Sequence, residues 1–240
     1  MVVKSQIKFI KNLQQKKYRT QNRLFVVEGI KTVKELLQSS LKVYKIYVTE
    51  SSILEENEDF VELISEGDLK KMSGLSSPNK VLGVFYIPEH KKVNFSNWVV
   101  ALDDVRDPGN MGTIIRLCDW FGINDIMCSP TSVDCYNPKV LQATMGSISR
   151  VNIVYGDLQQ VFSQAEVPIY GAFMDGTVVY KEKFPKSGIL VMGNEANGVS
   201  EAIESIIGKK ISIPQFGPKT TESLNVATAT AILLNEIRRG

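Results

Sequence analysis

The sequence predicts an α/β protein in two parts. A small α/β domain over residues 1–90 precedes a larger one over 97–240, built on a mostly parallel sheet with both faces covered. Three observations carry this. Short apolar runs bounded by turn residues alternate with helical patterns along the chain, the signature of strands interleaved with helices. A polar stretch opened by proline, PEHKKVNFS at 88–96, separates two such series and reads as a linker. Finally, the apolar run WVVAL at 98–102 ends in acids and a Pro-Gly-Asn turn, and a helical pattern follows. A strand, a tight turn at its carboxyl edge and a helix form the usual frame for an α/β site.

In the first part, Ser5 is placed to cap a helix over roughly 6–17, with Ile7, Ile10 and Leu13 inward and the lysines outward. Residues 24–28 read as a strand ended by Gly29, 30–38 as a helix and 43–48 as a second strand. A short helix over 51–57, a strand over 61–64, a helical turn over 68–72 and a strand over 80–87 complete the domain. In the second part, strands are expected near 98–102, 125–128, 151–154, 169–172, 188–192 and 210–213. Helices are expected from the turn at 108–110 to about 122, and near 139–145, 158–165, 199–206 and 224–238. Residues 174–187 read as a polar excursion. From pattern alone, the strand order would be Rossmann-like.

Composition narrows the function. At 240 residues, with 43% hydrophobic and 22% charged residues, the chain reads as an ordinary globular protein. It has no apolar run long enough to span a membrane, and its basic amphipathic start reads as structure, not as a signal peptide. Three cysteines without CxxC spacing fit a reducing cytosol, and a single histidine makes a metal site an unattractive reading. Neither a GxGxxG after a first strand nor a phosphate-binding GxxxxGKS/T occurs. Charge is unevenly spread: residues 1–45 hold 11 Lys/Arg against 2 Glu, whereas residues 46–75 hold 2 lysines against 8 acids. Lys8, Lys11, Lys16, Lys17, Arg19 and Arg23 thus form a patch suited to a polyanion.

Polar residues in the second part gather in three stretches: LDDVRDPGNMGTIIRLCDWFG (102–122), LVMGNEANGVS (190–200) and ISIPQFGPKTTESLNVATATAILLNEIRR (211–239). In this order they resemble the motifs of the SpoU/TrmH family, RNA ribose 2'-O-methyltransferases of the knotted SPOUT class. Asn110-x5-Arg116 resembles the first motif, Gly193-Asn194-Glu195 the second and Ser223-Leu224-Asn225-Val226 the third. The Phe25–Gly29 stretch behind a basic helix resembles, more loosely, the family's amino-terminal substrate-binding domain, itself similar to ribosomal-protein L30-like RNA binders.

This resemblance implies a deep trefoil knot in the carboxyl-terminal domain, a homodimer completed through the last helix, and S-adenosylmethionine as methyl donor. The donor would lie among loops at Met192 and Gly193, at Ile213 and Pro214, and at Ser223, Leu224 and Asn225. Asn110, Arg116, Glu195 and Asn225 would form the catalytic cluster. A guanidinium is a poor base, so Arg116 is expected to hold phosphate and stabilise a developing alkoxide; the acceptor of the ribose proton stays open. Ala196, the NVATATA run and a longer loop at 218–222 depart from the commonest family pattern and bear on substrate choice. Ribosomal RNA is the expected substrate, with transfer RNA as one alternative and a non-catalytic RNA-binding or ribosome-assembly protein as another.

Overall fold

A computed structural model describes residues 2–54, 59–217 and 223–239. They fall into two compact units: residues 2–89 with 134–149, and residues 90–133 with 150–239. In the first unit, β1 (Leu24–Glu28), β2 (Val43–Val48), β3 (Val61–Leu63) and β4 (Val81–Tyr86) make a mixed sheet in the order β1-β4-β2-β3. β4 runs antiparallel to β1 and β2, and β3 parallel to β2. One face packs Leu24, Val26, Tyr47, Leu82 and Val84 against α1 (Lys4–Asn12) and α4 (Glu66–Met72). The expected helix over 6–17 is two helices, α1 and α2 (Lys16–Asn22), parted at Leu13–Gln15. Ser5 lies inside α1 without a capping bond: Val2 is buried in the core, which draws the helix start back to Lys4. α3 (Ile30–Leu37) starts directly after Gly29, whose φ of +105° ends β1. Only the 3-10 turn Ser51–Ile53 of the helix expected at 51–57 is seen, the rest lying outside the described residues.

The second unit opens with β5 (Trp98–Leu102), α5 (Pro108–Trp120) and β6 (Asp125–Cys128). The chain then leaves for the first unit through α6 (Pro138–Thr144) and returns as β7 (Asn152–Tyr155) and α7 (Leu158–Ser163). β8 (Ile169–Val178), β9 (Gly188–Met192), α8 (Glu201–Glu204), β10 (Lys209–Ser212) and α9 (Val226–Arg239) complete it. The six-stranded sheet is parallel throughout, in the order β10-β8-β9-β5-β6-β7. A Rossmann order would set β8 beside β5; here β9 takes that place and β8 lies outside it. Side-chain chemistry explains the exchange. All five residues of β9 are buried, as a central parallel strand requires, whereas β8 has no buried residue after Gly171 and is exposed at Met174, Asp175 and Thr177. That half of β8, expected as a loop, continues through a register shift to pair Thr177 and Val178 with β10. At Gly176 a Cβ would stand 2.6 Å from the Ile211 nitrogen, so only glycine lets β10 approach there.

The segment 134–149, expected in the second domain, belongs to the first unit. Tyr136 packs on Phe25 of β1 with ring centroids 4.8 Å apart, covering the sheet face opposite α1. Beside it, Asp134 accepts from Nε of Arg19 at 3.1 Å and from its Nη2, while Nη1 donates to the carbonyls of Leu13 and Gln14 at 3.0 and 2.8 Å. Arg19 is therefore no RNA ligand: at 2% exposure and with every guanidinium nitrogen engaged, it fastens the α1–α2 corner to residue 134. Removing one partner of a buried pair strands the other charge. Asp134→Ala should thus lower the unfolding free energy of the full chain by about 3–5 kcal/mol. Urea denaturation would check this, and a loss below about 1 kcal/mol, the scale of a surface pair, would refute the strut.

Candidate active site

α5 begins where β5 stops. Asp107 is its N-cap, accepting from the Asn110 nitrogen at 2.8 Å, with Pro108 in the first turn. The Pro-Gly-Asn turn is thus already helix, and Asn110 is not the cap but a first-turn residue with a free side chain. That amide donates through Nδ2 to Oε1 of Glu195 at 3.0 Å. The Glu195 carboxylate also accepts from the backbone nitrogens of Asp107 (3.1 Å) and Arg106 (3.3 Å), at the amino end of α5. Burial raises the cost of its charge, but the bonds from Asn110 and these backbone groups outweigh it and hold its pKa below the ordinary glutamate value.

Asn225 completes the chain of bonds. Its Oδ1 caps α9, accepting from the nitrogens of Ala227 (2.9 Å) and Thr228 (3.2 Å), and its Nδ2 donates to Oδ1 of Asn110 at 2.8 Å. Both amides are therefore fixed in orientation, and each keeps one N–H for another acceptor. At the far ends of the same helices, Arg238 donates to the carbonyls of Phe121 and Gly122, each at 2.8 Å. α5 and α9 thus lie side by side in the same direction, with both amino ends at the site.

The loop that presents Glu195 is fastened to itself. Asn194 and Gly198 exchange two backbone bonds of 2.8 and 2.9 Å, and Oδ1 of Asn194 accepts from the nitrogens of Ala196 and Asn197. Gly193 has no room for a side chain, since a Cβ would stand 2.2 Å from the Gly198 carbon. Asp103, in the acid run after β5, is buried and accepts from the Ser200 nitrogen at 2.8 Å. The sequence reading missed that tie, although three acids so close behind a strand marked the place.

A cavity of about 570 Å³ opens against this cluster, within the 300–1,000 Å³ range typical of ligand pockets. Met192 and Gly193, Ile213 and Pro214, and Ser223, Leu224 and Asn225 all line it, as do Phe173 and Met174 of β8, which the sequence reading did not include. Among the described lining residues Glu195 is the only ionisable one. With no basic side chain among the described lining residues, a polyphosphate cofactor fits them poorly, whereas an adenosine joined to a zwitterionic amino acid through a cationic sulfonium fits their mixture of amide, backbone and apolar surface. No group of three or more His, Cys, Asp or Glu is placed to hold a metal among the described residues.

Arg116 stands apart. Six residues beyond Asn110, it is rotated by roughly 120° and displaced by roughly 9 Å along the helix. It is exposed, makes no bond among the described residues, and does not line the cavity. Glu195 does not orient it. Lys8, Lys11, Lys16, Lys17 and Arg23 lie exposed in the first unit, where Arg23 also leans weakly on the carbonyls of Ile87 and Pro88.

Comparison with known proteins identifies this arrangement. The pattern of the SpoU rRNA Methylase family matches residues 97–235. The chain belongs to that family. Residues 4–83 match an MRM3-like substrate binding domain. The chain is 31% identical over 240 residues to the 23S rRNA (guanosine(2553)-2'-O)-methyltransferase RlmP of Bacillus subtilis, covering 97% of this chain and 95% of that protein. Among solved structures, a putative RNA methyltransferase of the TrmH family from Porphyromonas gingivalis is 35% identical, with a TM-score of 0.89 over 100% of this chain and 99% of that one. An AdoMet-bound rRNA methyltransferase from Sinorhizobium meliloti is 28% identical, with a TM-score of 0.87 over 100% and 96%. The family member described here thus shares both units and their order with these relatives.

The lowered pKa of Glu195 has a consequence in acid. Folding favours its ionised form, so its contribution to stability is full above the ordinary value of 4.5 and is lost as pH falls through the lower folded value. Stability of the native chain should drop more steeply than that of Glu195→Gln between pH ~6 and ~3. Parallel urea midpoints across that range would contradict the assignment.

Proposed function

We propose that this protein transfers a methyl group from S-adenosylmethionine to a ribose 2'-hydroxyl of ribosomal RNA. One observation carries the reading: a cavity walled by Gly193, Pro214 and Leu224, with Glu195 the one ionisable group among its described lining residues, abuts the Glu195–Asn110–Asn225 chain at the amino ends of two helices. The loops after β9 and β10 and the head of α9 would hold the donor, which when bound supplies an already activated methyl group on its sulfonium. The chain's own residues then have a positioning task. The remaining N–H groups of Asn110 and Asn225 are fixed where they can orient the ribose, and the Glu195 carboxylate holds both amides in place. Arg116 would bind RNA phosphate with its planar fork and stabilise the alkoxide as it develops. The identity to the Bacillus protein, whose name specifies 23S rRNA, favours ribosomal over transfer RNA. We assign donor binding and transfer to residues 97–240 and RNA affinity to residues 1–90, with Lys8, Lys11, Lys16, Lys17 and Arg23 meeting phosphate. Family membership brings the trefoil threading with it. Cytoplasmic residence is supported by three buried cysteines in no disulfide, two of which, Cys118 and Cys128, have thiols that burial pushes far above the ordinary pKa.

Single-turnover methylation of ribosomal RNA fragments at saturating donor tests the proposal. The native chain should methylate a ribosomal fragment and leave transfer RNA unmodified; transfer to neither, with donor bound, would leave only an RNA-binding role. In the same assay Arg116→Ala should abolish transfer while calorimetry shows donor binding near native. Arg116→Lys keeps the charge but loses the fork, and should fall short by at least about 10²-fold. Near-native rates in Arg116→Ala would remove the residue from the mechanism.

We further propose a homodimer formed through α5 and α9. Trp120 is 83% exposed and shares a face of α5 with Thr113 and Arg116, an arrangement that leaves a large apolar ring in water and the reactive guanidinium without a partner. Ala231 and Ile232 of α9 are only partly buried, and small residues allow close helix approach. Light scattering should give about twice the 26.8 kDa chain mass, and Trp120→Glu should halve that value and suppress transfer. A native monomer methylating at full rate would sink the dimer.

A further inference from the structure

The first unit carries an aromatic group that its core does not require. β2 and β4 pair Val43 with Phe85 and Lys45 with Val84, so Tyr44 is the extra residue of a β-bulge and has no partner across the ladder. A bulge costs ladder bonds and redirects a side chain. Here it presents the Tyr44 ring to solvent at 40% exposure. Tyr86 meets that ring edge-on at a centroid distance of 5.8 Å, and Phe9 of α1 lies 6.1 Å from it. Nζ of Lys42 stands 5.0 Å over the Tyr86 ring. By contrast, the aromatic pairs that build the unit's opposite face, Phe25 with Phe85 and with Tyr136, are buried, and Phe25 faces Phe85 on the regular β1–β4 ladder.

Charge around the group is one-sided. Lys8 and Lys11 are exposed on the helix that carries Phe9, α1 holds no acid, and Lys42 makes no ion pair among the described residues. The nearby Glu62 is already engaged by Lys45 at 3.6 Å and Gln6 at 3.2 Å. An exposed ring held rigid by two others, beside unpaired lysines, is the combination that stacks an unpaired nucleobase and holds the flanking phosphates. A duplex buries its base faces and offers such a ring nothing.

We propose that Tyr44, supported by Tyr86 and Phe9 and flanked by Lys8 and Lys42, is a stacking site for an unpaired nucleotide of the RNA substrate. This rests on the reading above that the substrate is RNA, and it makes a single-stranded or looped segment the part that this unit recognises. Lys42 and Lys8 supply the electrostatic share, and the ring supplies preference for single strands.

The test uses the full chain and a short single-stranded oligoribonucleotide containing 2-aminopurine, with its duplex for comparison. Stacking should quench the 2-aminopurine signal. Tyr44→Phe should keep affinity and quenching, whereas Tyr44→Ala and Tyr44→Leu should each lose the quenching and weaken single-strand binding by about 5- to 150-fold. Should Tyr44→Ala unfold early, the Leu and Phe variants still decide, since both keep the apolar bulk and only one keeps a π-face. Native affinity and quenching in Tyr44→Leu would overturn the proposal and hand the patch to an apolar protein partner; equal losses on the duplex would overturn it in favour of shape recognition. The measurement is independent of methyl transfer. A chain that quenches through Tyr44 yet methylates no ribosomal RNA would sink the proposed activity and leave this site standing.

Discussion

The Glu195 carboxylate is the pivot of the second unit. Two helices running in the same direction bring two positive amino ends together, and such an arrangement is repulsive unless an anion lies beside it. Glu195 is that anion for α5, accepting from the backbone N–H groups of Arg106 and Asp107 that lead into it, and it reaches α9 through Asn110 and Asn225. These bonds join positions 85 and 115 residues apart. They therefore also fix where the loop after β9 and the head of α9 stand, and those are walls of the cavity. Every polar group of the cluster is committed to one orientation before any substrate arrives. Preorganisation of this kind suits a reaction whose reagent is already activated and whose demand is alignment.

Two of the three arginines named as functional from sequence divide by physics. Arg19 and Arg116 both follow runs of mixed polarity, and both could be surface cations on that evidence. Arg19 has a carboxylate 115 residues away and two carbonyls at a helix corner, a set of acceptors that a fork of five donors can fill at once. A lysine there would leave acceptors unmet, which is why the strut is an arginine while its neighbours Lys16 and Lys17 remain in water. Arg116 has no such set among the described residues. A guanidinium so placed is open to an external acceptor such as the phosphate proposed above.

Much of the architecture was legible because strands such as WVVAL and GILVM are apolar at every position, and a strand buried on both faces must be. β8 was cut short because its second half lies toward the sheet's edge, where exposed polar residues mimic a loop. The break between α1 and α2 was invisible for a related reason: Leu13 keeps the helical spacing through the corner. The place of 134–149 could not be read from local pattern, since it is set by Arg19 and Phe25, more than a hundred residues earlier. In the site, the loops that line the cavity were reached through the family resemblance of three short motifs, not through pattern or composition. The bonds of Glu195 were not legible, because a carboxylate three residues past a strand can face either of two helices.

The same reasoning bears on how the two units divide recognition. A cavity whose described wall holds one carboxylate and no cation cannot draw in RNA by charge, and a single arginine on α5 could add at most about one phosphate contact. Affinity must then come from elsewhere, and the first unit has the surplus: 11 basic residues against 2 acids over residues 1–45, only one of the basic residues being spent on an internal strut. Charge alone binds any RNA, so it gives affinity without choice. A ring such as Tyr44 adds a preference for unpaired bases, and a ribose 2'-hydroxyl can be aligned in line with a methyl group only where its nucleotide is free to turn. The unit that selects an open strand and the unit that needs one are thus matched by the conformation of the RNA, without any contact between the two sites being required.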